Sequence, residues 1–385
     1  MKKVWQILSY ILVAAIAASA ALFTVGWYEE VPTQSKLDQL ADLIEERFIG
    51  ESDRKVYEDA AAVAMVDALG DEWSYYIPAD QMQAHTETVN NAYVGIGITI
   101  MRQEDGSGFQ ITKVNEGGSA DRAGIKPGDV IVGIEGQSAA GMTAEDARNL
   151  VRGEENTIVN LTVRRGEEEL EFSVTRMQVL TPVAVGQMLD GQVGLITITN
   201  FDARCFDESK AAIESLLEQG AESLIFDVRN NPGGYKHELV ALLDYLLPEG
   251  PLFRSEMYDG KSAVDESDAS CLEIPMAVLV NGDSYSAAEF FAAALRVYDA
   301  ALVVGEQTSG KGYFQVTYML PDGSGVALSI GKYYTPKGNC LEGVGITPDF
   351  VVGVDDATAA EIYNGTLNPM EDPQILKAIE ALQSK

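Results

Sequence analysis

The sequence predicts a multidomain α/β protein, and three observations support this fold class. A chain of 385 residues is long enough for two or three domains with at least one large apolar core. Its hydrophobic pattern changes from a helical period to a strand period with frequent turns, and then to alternating strands and helices. An uncharged N-terminal run precedes these regions. We therefore predict four segments: residues 1–28, 29–88, 89–177 and 178–385.

The first segment is predicted to be a single-pass membrane anchor. Lys2 and Lys3 precede 25 residues without a charge, Val4 to Tyr28, which is enough to span a hydrocarbon core of about 30 Å. Because basic flanks stay in the cytoplasm, we expect the rest of the chain to lie outside it. Cleavage after the small residues Ala18-Ser19-Ala20 is the alternative, and it would give a secreted protein. The run is long for a signal peptide, so the uncleaved anchor is preferred.

The second segment is predicted to be helical. Five apolar residues recur at helical spacing near its start: Leu37, Leu40, Leu43, Ile44 and Phe48. A second helical run follows at residues 56–69, and the pair is a candidate contact for a homodimer. Turn residues and aromatics in GDEWSYYIP, residues 70–78, are expected to close it.

The third and fourth segments differ in their alternation. From Tyr93, short strand candidates are broken by turns rich in glycine, aspartate and proline, and one clear helix covers residues 144–153. From about residue 180, apolar strand candidates alternate with helices. The strand candidates are residues 193–198, 223–228, 276–281 and 301–306, and the helix candidates are residues 207–220, 235–247 and 286–298. An amphipathic run at residues 373–384 ends the chain.

Charge and metal-ligating residues exclude several function classes. The formal charge of −32, from 59 acidic and 27 basic residues, argues against a nucleic-acid-binding protein. Three cysteines without a CxxC pair, with only His85 and His237 beside them, do not form a zinc motif. We therefore predict no metal and no organic cofactor.

Ser286 and Lys311 are the candidate catalytic pair. Ser286 follows a strand and a short turn and opens a helix, where the active sites of α/β folds collect. Lys311 lies among small uncharged residues, where burial can lower its pKa enough for it to act as a general base. Gln315, four positions on, falls on the same face and can orient the amine without adding a charge. Gly233 and Gly234, in the loop before another helix, let backbone N–H groups approach a ligand closely.

Alternatives stay open on these residues alone. Ser286 fits an ordinary N-cap, a role that Ser284 could share. His237 with Asp227 could supply a base and its orienting acid. GEQTSGKG, residues 305–312, has the spacing of a phosphate-binding loop, but glycine stands where that motif has serine or threonine.

Taken together, these segments resemble the C-terminal processing peptidases, or tail-specific proteases, which are serine–lysine endopeptidases. The resemblance covers nearly everything after the anchor. It rests on DVRNNPGG at 227–234, VLVNGDSYSAAEFFAAAL at 278–295 and VVGEQTSGKGYFQ at 303–315, in the family's order and spacing, with GDEWSYYIP at 70–78 and GVGITPDFVV at 343–352.

The resemblance implies a ClpP/crotonase-like catalytic core and assigns roles within it. Ser286 is the implied nucleophile, Lys311 the general base and Gln315 its orienting partner. Gly233 and Ala287 are the implied oxyanion donors. The chain departs from the family's pattern beside the nucleophile, where Tyr285 replaces a small residue and Ala288 replaces a serine.

The β-rich module resembles a PDZ domain. YVGIGI resembles its carboxylate-binding loop, which here is formed by Gly95, Ile96, Gly97 and Ile98. Residues 117–138 resemble its central strand-and-turn signature. The resemblance implies protein or peptide partners with free C-termini, held by main-chain groups at a sheet edge.

The sequence therefore predicts a membrane-anchored, extracytoplasmic serine endopeptidase. It would cleave proteins recognised through their C-terminal tails by way of an acyl-enzyme. The alternative is a catalytically inactive PDZ scaffold that binds C-terminal peptides.

Overall fold

The structure is a computed structural model that describes residues 35–384. The predicted anchor, residues 1–28, lies outside this range. Between residues 35 and 384, none of the helices combines the length and the apolar character needed to cross a bilayer. The chain divides into two compact units, with the boundary between Gly70 and Asp71.

The first unit contains α1 (Lys36–Arg47) and α2 (Arg54–Asp67), which confirms the predicted helical pair. Arg54, at the start of α2, binds the carboxylates of Asp42 and Glu45, each at 2.9 Å. Since both acids belong to α1, this arginine fastens the two helices together. Such partly exposed ion pairs contribute little individually and more as a network.

The second unit begins with a correction to the sequence prediction. Residues 75–77 were expected to belong to the closing turn of the helical pair. They form instead the strand β1 (Tyr75–Ile77), which pairs antiparallel with residues 325–327. The buried side chain of Ile77 anchors it. So short a strand has no periodicity of its own, and its partner lies about 250 residues away in the sequence.

The PDZ-like module is enclosed by two strands that pair with each other, β2 (Ala92–Gly95) and β9 (Met177–Leu180). Helix α3 (Met82–Val89) leads into it. Its other elements are β3 (Ile98–Arg102), β4 (Phe109–Val114), α4 (Ser119–Arg122), β5 (Val130–Ile134), β6 (Gln137–Ser138), α5 (Ala144–Val151), β7 (Ile158–Arg165) and β8 (Glu168–Thr175). The sheet order is β3-β4-β5-β7-β8, with β6 on β5, so β3 is an edge strand within the described chain.

The remaining residues form the catalytic core. Its elements are β10 (Ala184–Leu189), β11 (Val193–Ile198), α6 (Cys205–Glu218), β12 (Ser223–Asp227), α7 (Lys236–Leu246), β13 (Gly250–Met257), β14 (Ser262–Ser267), β15 (Met276–Val280), α8 (Ala287–Val297), β16 (Ala301–Gly305), β17 (Tyr313–Met319), β18 (Gly325–Tyr334), β19 (Phe350–Val351), α9 (Asp356–Asn364) and α10 (Pro373–Gln383). They build two sheets, and the candidate site lies where loops of both sheets meet.

The main sheet has the order β10-β11-β12-β15-β16-β19 and is parallel except at β10. The four predicted strands of this region are confirmed as β11, β12, β15 and β16. Alternate residues face opposite layers: Ile196, Phe226 and Val278 share a core with α6, α7 and α8, whereas Ile225 and Leu279 pack with α10. Burial on both faces explains why these strands are almost continuously apolar.

The second sheet contains β1, β18, β13 and β14 in that order, with β17 paired to β18. It holds the candidate base, because Lys311 lies in the loop that leads into β17. It also holds residues 71–77, because β1 pairs with β18. Two distant parts of the chain therefore meet beside Lys311.

Candidate active site

Ser286 has a backbone conformation that is unusual for a serine. It precedes α8 with φ 56° and ψ −122°, and its hydroxyl makes no capping hydrogen bond with the helix. A positive φ at a residue other than glycine costs about 1–3 kcal/mol and is found mainly where a function requires it. The ordinary N-cap interpretation therefore fails for this serine.

Ser284, the other candidate serine, has a structural role. It is fully buried. Its hydroxyl donates to the carbonyl of Val228 at 2.7 Å and accepts the N–H of Asn281 at 3.0 Å. Both bonds tie the turn after β15 to the neighbouring loop, which leaves Ser286 as the available hydroxyl.

Two asparagines join the loop after β12 to the turn before α8. The side chains of Asn230 and Asn281 exchange hydrogen bonds: Asn281 Nδ2 donates to Asn230 Oδ1 at 2.8 Å, and the Asn230 N–H donates to Asn281 Oδ1 at 2.9 Å. This brings Gly233 against Ser286. A Cβ at Gly233, whose φ is +91°, would lie 2.7 Å from the Ser286 Cβ and 2.8 Å from the Ala287 nitrogen. Only glycine fits there.

The two candidate oxyanion donors differ in their present state. Within the described chain, the N–H of Ala287, in the first turn of α8, donates to no acceptor. The N–H of Gly233 donates to Oδ1 of Asn231 at 2.9 Å, and Asn231 is itself held by the carbonyl of Ile198. One donor is therefore free, whereas the other is already paired.

Lys311 is partly buried, and its amine lies against two aromatic rings. The Nζ atom is 4.9 Å from the ring centroid of Trp73 and 5.8 Å from that of Tyr285. Burial lowers the pKa of Lys311 to about 8, although the carboxylates of Asp71 and Glu342 raise it in opposition. Between residues 35 and 384, no hydrogen bond joins Nζ to the Ser286 hydroxyl.

Glu289 connects the nucleophile helix to the loop of the base, and the sequence analysis missed it. Its carboxylate is fully buried. It accepts the Thr308 hydroxyl, the N–H of Gly310 at 2.9 Å and the N–H of Lys311 at 3.0 Å. Burial raises its pKa to about 7, against these hydrogen bonds. An acid three positions after Ser286 in an otherwise apolar helix was the available signal.

Tyr333 is a second residue that the sequence did not reveal. It is almost fully buried, and its hydroxyl donates to the carbonyl of Lys311. It also interacts with the side chain of Ser286, and burial raises its pKa well above the usual range. The tyrosine thus contacts both members of the candidate pair.

Gln315 does not contact Lys311 in this structure. Its Nε2 donates to the Ser329 hydroxyl at 2.9 Å and to the Tyr313 carbonyl at 3.3 Å. The sequence argument placed residues 311 and 315 on one face of a regular strand. A register shift between Phe314 and Gln315 breaks that alternation, because a bulge changes which residues share a face.

The structure rejects two alternatives from the sequence. His237 is exposed and stacks on Tyr235, whereas Asp227 is bound by Arg229, so no histidine–aspartate pair forms. Residues 305–312 pass from β16 into β17 without entering a helix. A phosphate loop needs the free N–H groups of a helix start, which are absent from this stretch.

The candidate carboxylate-binding loop lies at the start of the edge strand β3. Within the described chain, the N–H groups of Ile96 and Gly97 have no acceptor, and their carbonyls accept the N–H groups of Ala120 and Asn115. Gly95 ends β2 and Ile98 begins β3. The loop is therefore fixed through its carbonyls while N–H groups remain available for an anion.

Two regions of the chain match known family models. Residues 192–352 match Peptidase family S41, and residues 110–165 match the PDZ domain. The chain is 32% identical over 365 residues to a probable CtpA-like serine protease of Staphylococcus aureus (strain COL), which covers 91% of this chain and 73% of that protein. It is 30% identical over 369 residues to the carboxy-terminal processing protease CtpA of Bacillus subtilis (strain 168), covering 92% and 79%.

Solved structures give a corresponding match. The photosystem II D1 C-terminal processing protease is 27% identical, with 81% of this chain and 86% of that chain covered and a TM-score of 0.47.

Proposed function

Since the chain belongs to peptidase family S41, as a C-terminal processing serine protease with a PDZ domain, we propose that it is an extracytoplasmic endopeptidase that uses Ser286 and Lys311. Its N-terminal segment would anchor it in the cell membrane. One observation carries the catalytic assignment: Ser286 is held at a positive φ beside Gly233, with the N–H of Ala287 free. The scaffold alternative lacks such support.

The proposed reaction begins when the neutral amine of Lys311 takes the proton of the Ser286 hydroxyl. The oxygen then attacks the carbonyl carbon of the scissile peptide bond, and the negative charge develops on the carbonyl oxygen. Ala287 donates its N–H to this oxygen, and Gly233 does so once Asn231 releases its N–H. The C–N bond then breaks, and the lysine ammonium protonates the leaving amine.

Hydrolysis of the resulting ester completes the cycle. Lys311, neutral again, takes a proton from water, whose oxygen attacks the acyl carbon and frees Ser286. Gln315 can orient the amine in these steps only if it turns from Ser329 toward Lys311. Its role therefore remains part of the proposal.

The pH dependence of the rate tests the lysine base. With a pKa of about 8, only about a tenth of Lys311 is neutral at pH 7. Because the neutral amine is the active form, kcat/KM on a denatured protein should rise about tenfold per pH unit and level off above pH 8. A rise centred near pH 6.5 would indicate a histidine base instead.

We further propose that the PDZ domain holds the C-terminal carboxylate of a substrate. The free N–H groups of Ile96 and Gly97 would bind the carboxylate, and the peptide would pair with the edge strand β3.

A peptide with a free C-terminus should therefore bind more tightly than the same peptide with a C-terminal amide. Hydrogen bonds to a charged group are worth about 1.5–3 kcal/mol, which corresponds to a difference of about 10- to 150-fold in Kd. Fluorescence anisotropy with the Ser286→Ala chain measures it without cleavage. Equal affinity for both peptides would contradict carboxylate binding at this loop.

A further inference from the structure

The amine of Lys311 is enclosed by an aromatic pair from two distant parts of the chain. Trp73 lies just before β1, whereas Tyr285 directly precedes Ser286. Their rings are stacked, with centroids 5.9 Å apart and planes inclined by 30°. Lys311 Nζ lies within 6 Å of both centroids, at 4.9 and 5.8 Å. We call Trp73 and Tyr285 the aromatic clamp.

Trp73 is fixed in this position by its own hydrogen bonds. Its Nε1 donates to Glu342 at 3.3 Å, and its backbone N–H donates to Asp71 at 3.3 Å. Glu342 also accepts the N–H of Gly312, the residue after the base. The same carboxylate therefore holds both the ring and the loop that carries Lys311.

The location of the amine does not match what proton abstraction requires. A general base must lie within hydrogen-bond reach of the proton that it removes. In the described chain Nζ makes no such bond with Ser286, and its defined contacts are the two ring faces. Ring faces attract an ammonium group through their quadrupole but have no comparable attraction for a neutral amine.

We propose that the aromatic clamp binds the protonated amine of Lys311 away from Ser286, and that deprotonation releases the amine to the nucleophile. Trp73 and Tyr285 are then positioning residues that set the pH at which the base becomes available. This inference rests on the proposed serine–lysine function. It also gives a role to Tyr285, the residue by which this chain departs from the small residue of the family it resembles.

Other groups around Lys311 act on the same equilibrium. Asp71 and Glu342 favour the charged amine, and burial opposes them. The remaining titratable groups on packed elements are Glu289 at the Lys311 N–H, Tyr333 at its carbonyl, Cys340 beside Gly312 and Asp283 near Tyr285. None of them lies on a ring face, so the contribution of the clamp can be isolated by substitution.

Leucine variants of the full chain separate the ring face from simple burial. Trp73→Leu and Tyr285→Leu keep apolar bulk near Lys311 but remove a ring. Loss of a cation–π contact should move the acid limb of the kcat/KM profile to lower pH by about 0.5 to 1 unit. Trp73→Phe and Tyr285→Phe should restore most of the original profile. Tyr258→Leu, at an exposed tyrosine, is the matched control and should leave the profile unchanged.

An acid limb that stays in place or moves to higher pH in both leucine variants would overturn the clamp. Should a variant fail to fold, Trp73 fluorescence decides in a Trp5→Phe/Trp27→Phe chain, where Trp73 is the remaining tryptophan. We expect an emission step at the pH of the acid limb that disappears in Lys311→Ala. No such step would refute the clamp even in an active enzyme. Hydrolysis retained in Lys311→Ala would refute the proposed function instead, whatever the fluorescence shows.

Discussion

Replacing Ser286 by alanine is expected to lower the rate of hydrolysis of a denatured protein by a factor of about 10⁴ to 10⁶. The reason is that Ser286 supplies the attacking oxygen, and the remaining oxyanion donors can only assist water. Lys311→Ala should have a similar effect, because groups that act as one unit are not additive. Lys311→Arg keeps the positive charge and should be equally inactive, since a guanidinium does not release its proton.

The measurement combines rates with identification of the acylated residue. An electrophilic acylating probe followed by peptide mass spectrometry should place the added mass on Ser286, and Lys311→Ala should abolish labelling. Ser270→Ala, in an exposed loop, is the matched control and should retain activity. Labelling of Ser284, or activity that survives in Ser286→Ala, would contradict the assignment.

Replacing Arg229 by methionine is expected to destabilise the catalytic core by about 3–5 kcal/mol. Its side chain is only 4% exposed. It binds Asp227 at 2.6 Å and Asp372 at 2.8 Å, and it also donates to Gln374 at 2.8 Å. Methionine retains the bulk but leaves two buried carboxylates without their cation, which is the costly way to break a buried ion pair.

Chemical denaturation followed by circular dichroism measures this loss. Lys236→Met is the matched control, because it breaks a partly exposed ion pair with Asp265 and should cost less than about 1 kcal/mol. If both variants lost the same small amount, the buried network would have no special weight. Since Asp372 also accepts the N–H groups at the start of α10, the Arg229 variant should loosen that helix first.

Much of the fold was predictable because its signals are local. The parallel strands of the main sheet are buried on both faces, so they read as continuous apolar runs that few other structures produce. The strands β10 and β14 are largely exposed and mixed in polarity, so no run marked them.

The candidate site was predictable only in part, because several of its contacts are not local. Ser286 and Lys311 followed from position and spacing. The contact between Trp73 and Lys311 depends on β1 pairing with β18, which no pattern near residue 73 reveals. The bulge before Gln315 likewise arises from the pairing of β17 with β18.

The antiparallel pairing of β2 with β9 has a consequence for how such a protein can be rebuilt. It brings the entry and exit of the PDZ domain side by side, with Ala92 opposite Leu180 and Gly95 opposite Met177. The domain is thus an insertion whose ends meet, and domains with adjacent termini are tolerant of removal and replacement. A short turn joining Gly95 to Met177 would turn the insertion into a simple hairpin, and another recognition module could be grafted at the same stem without changing the spacing of the core.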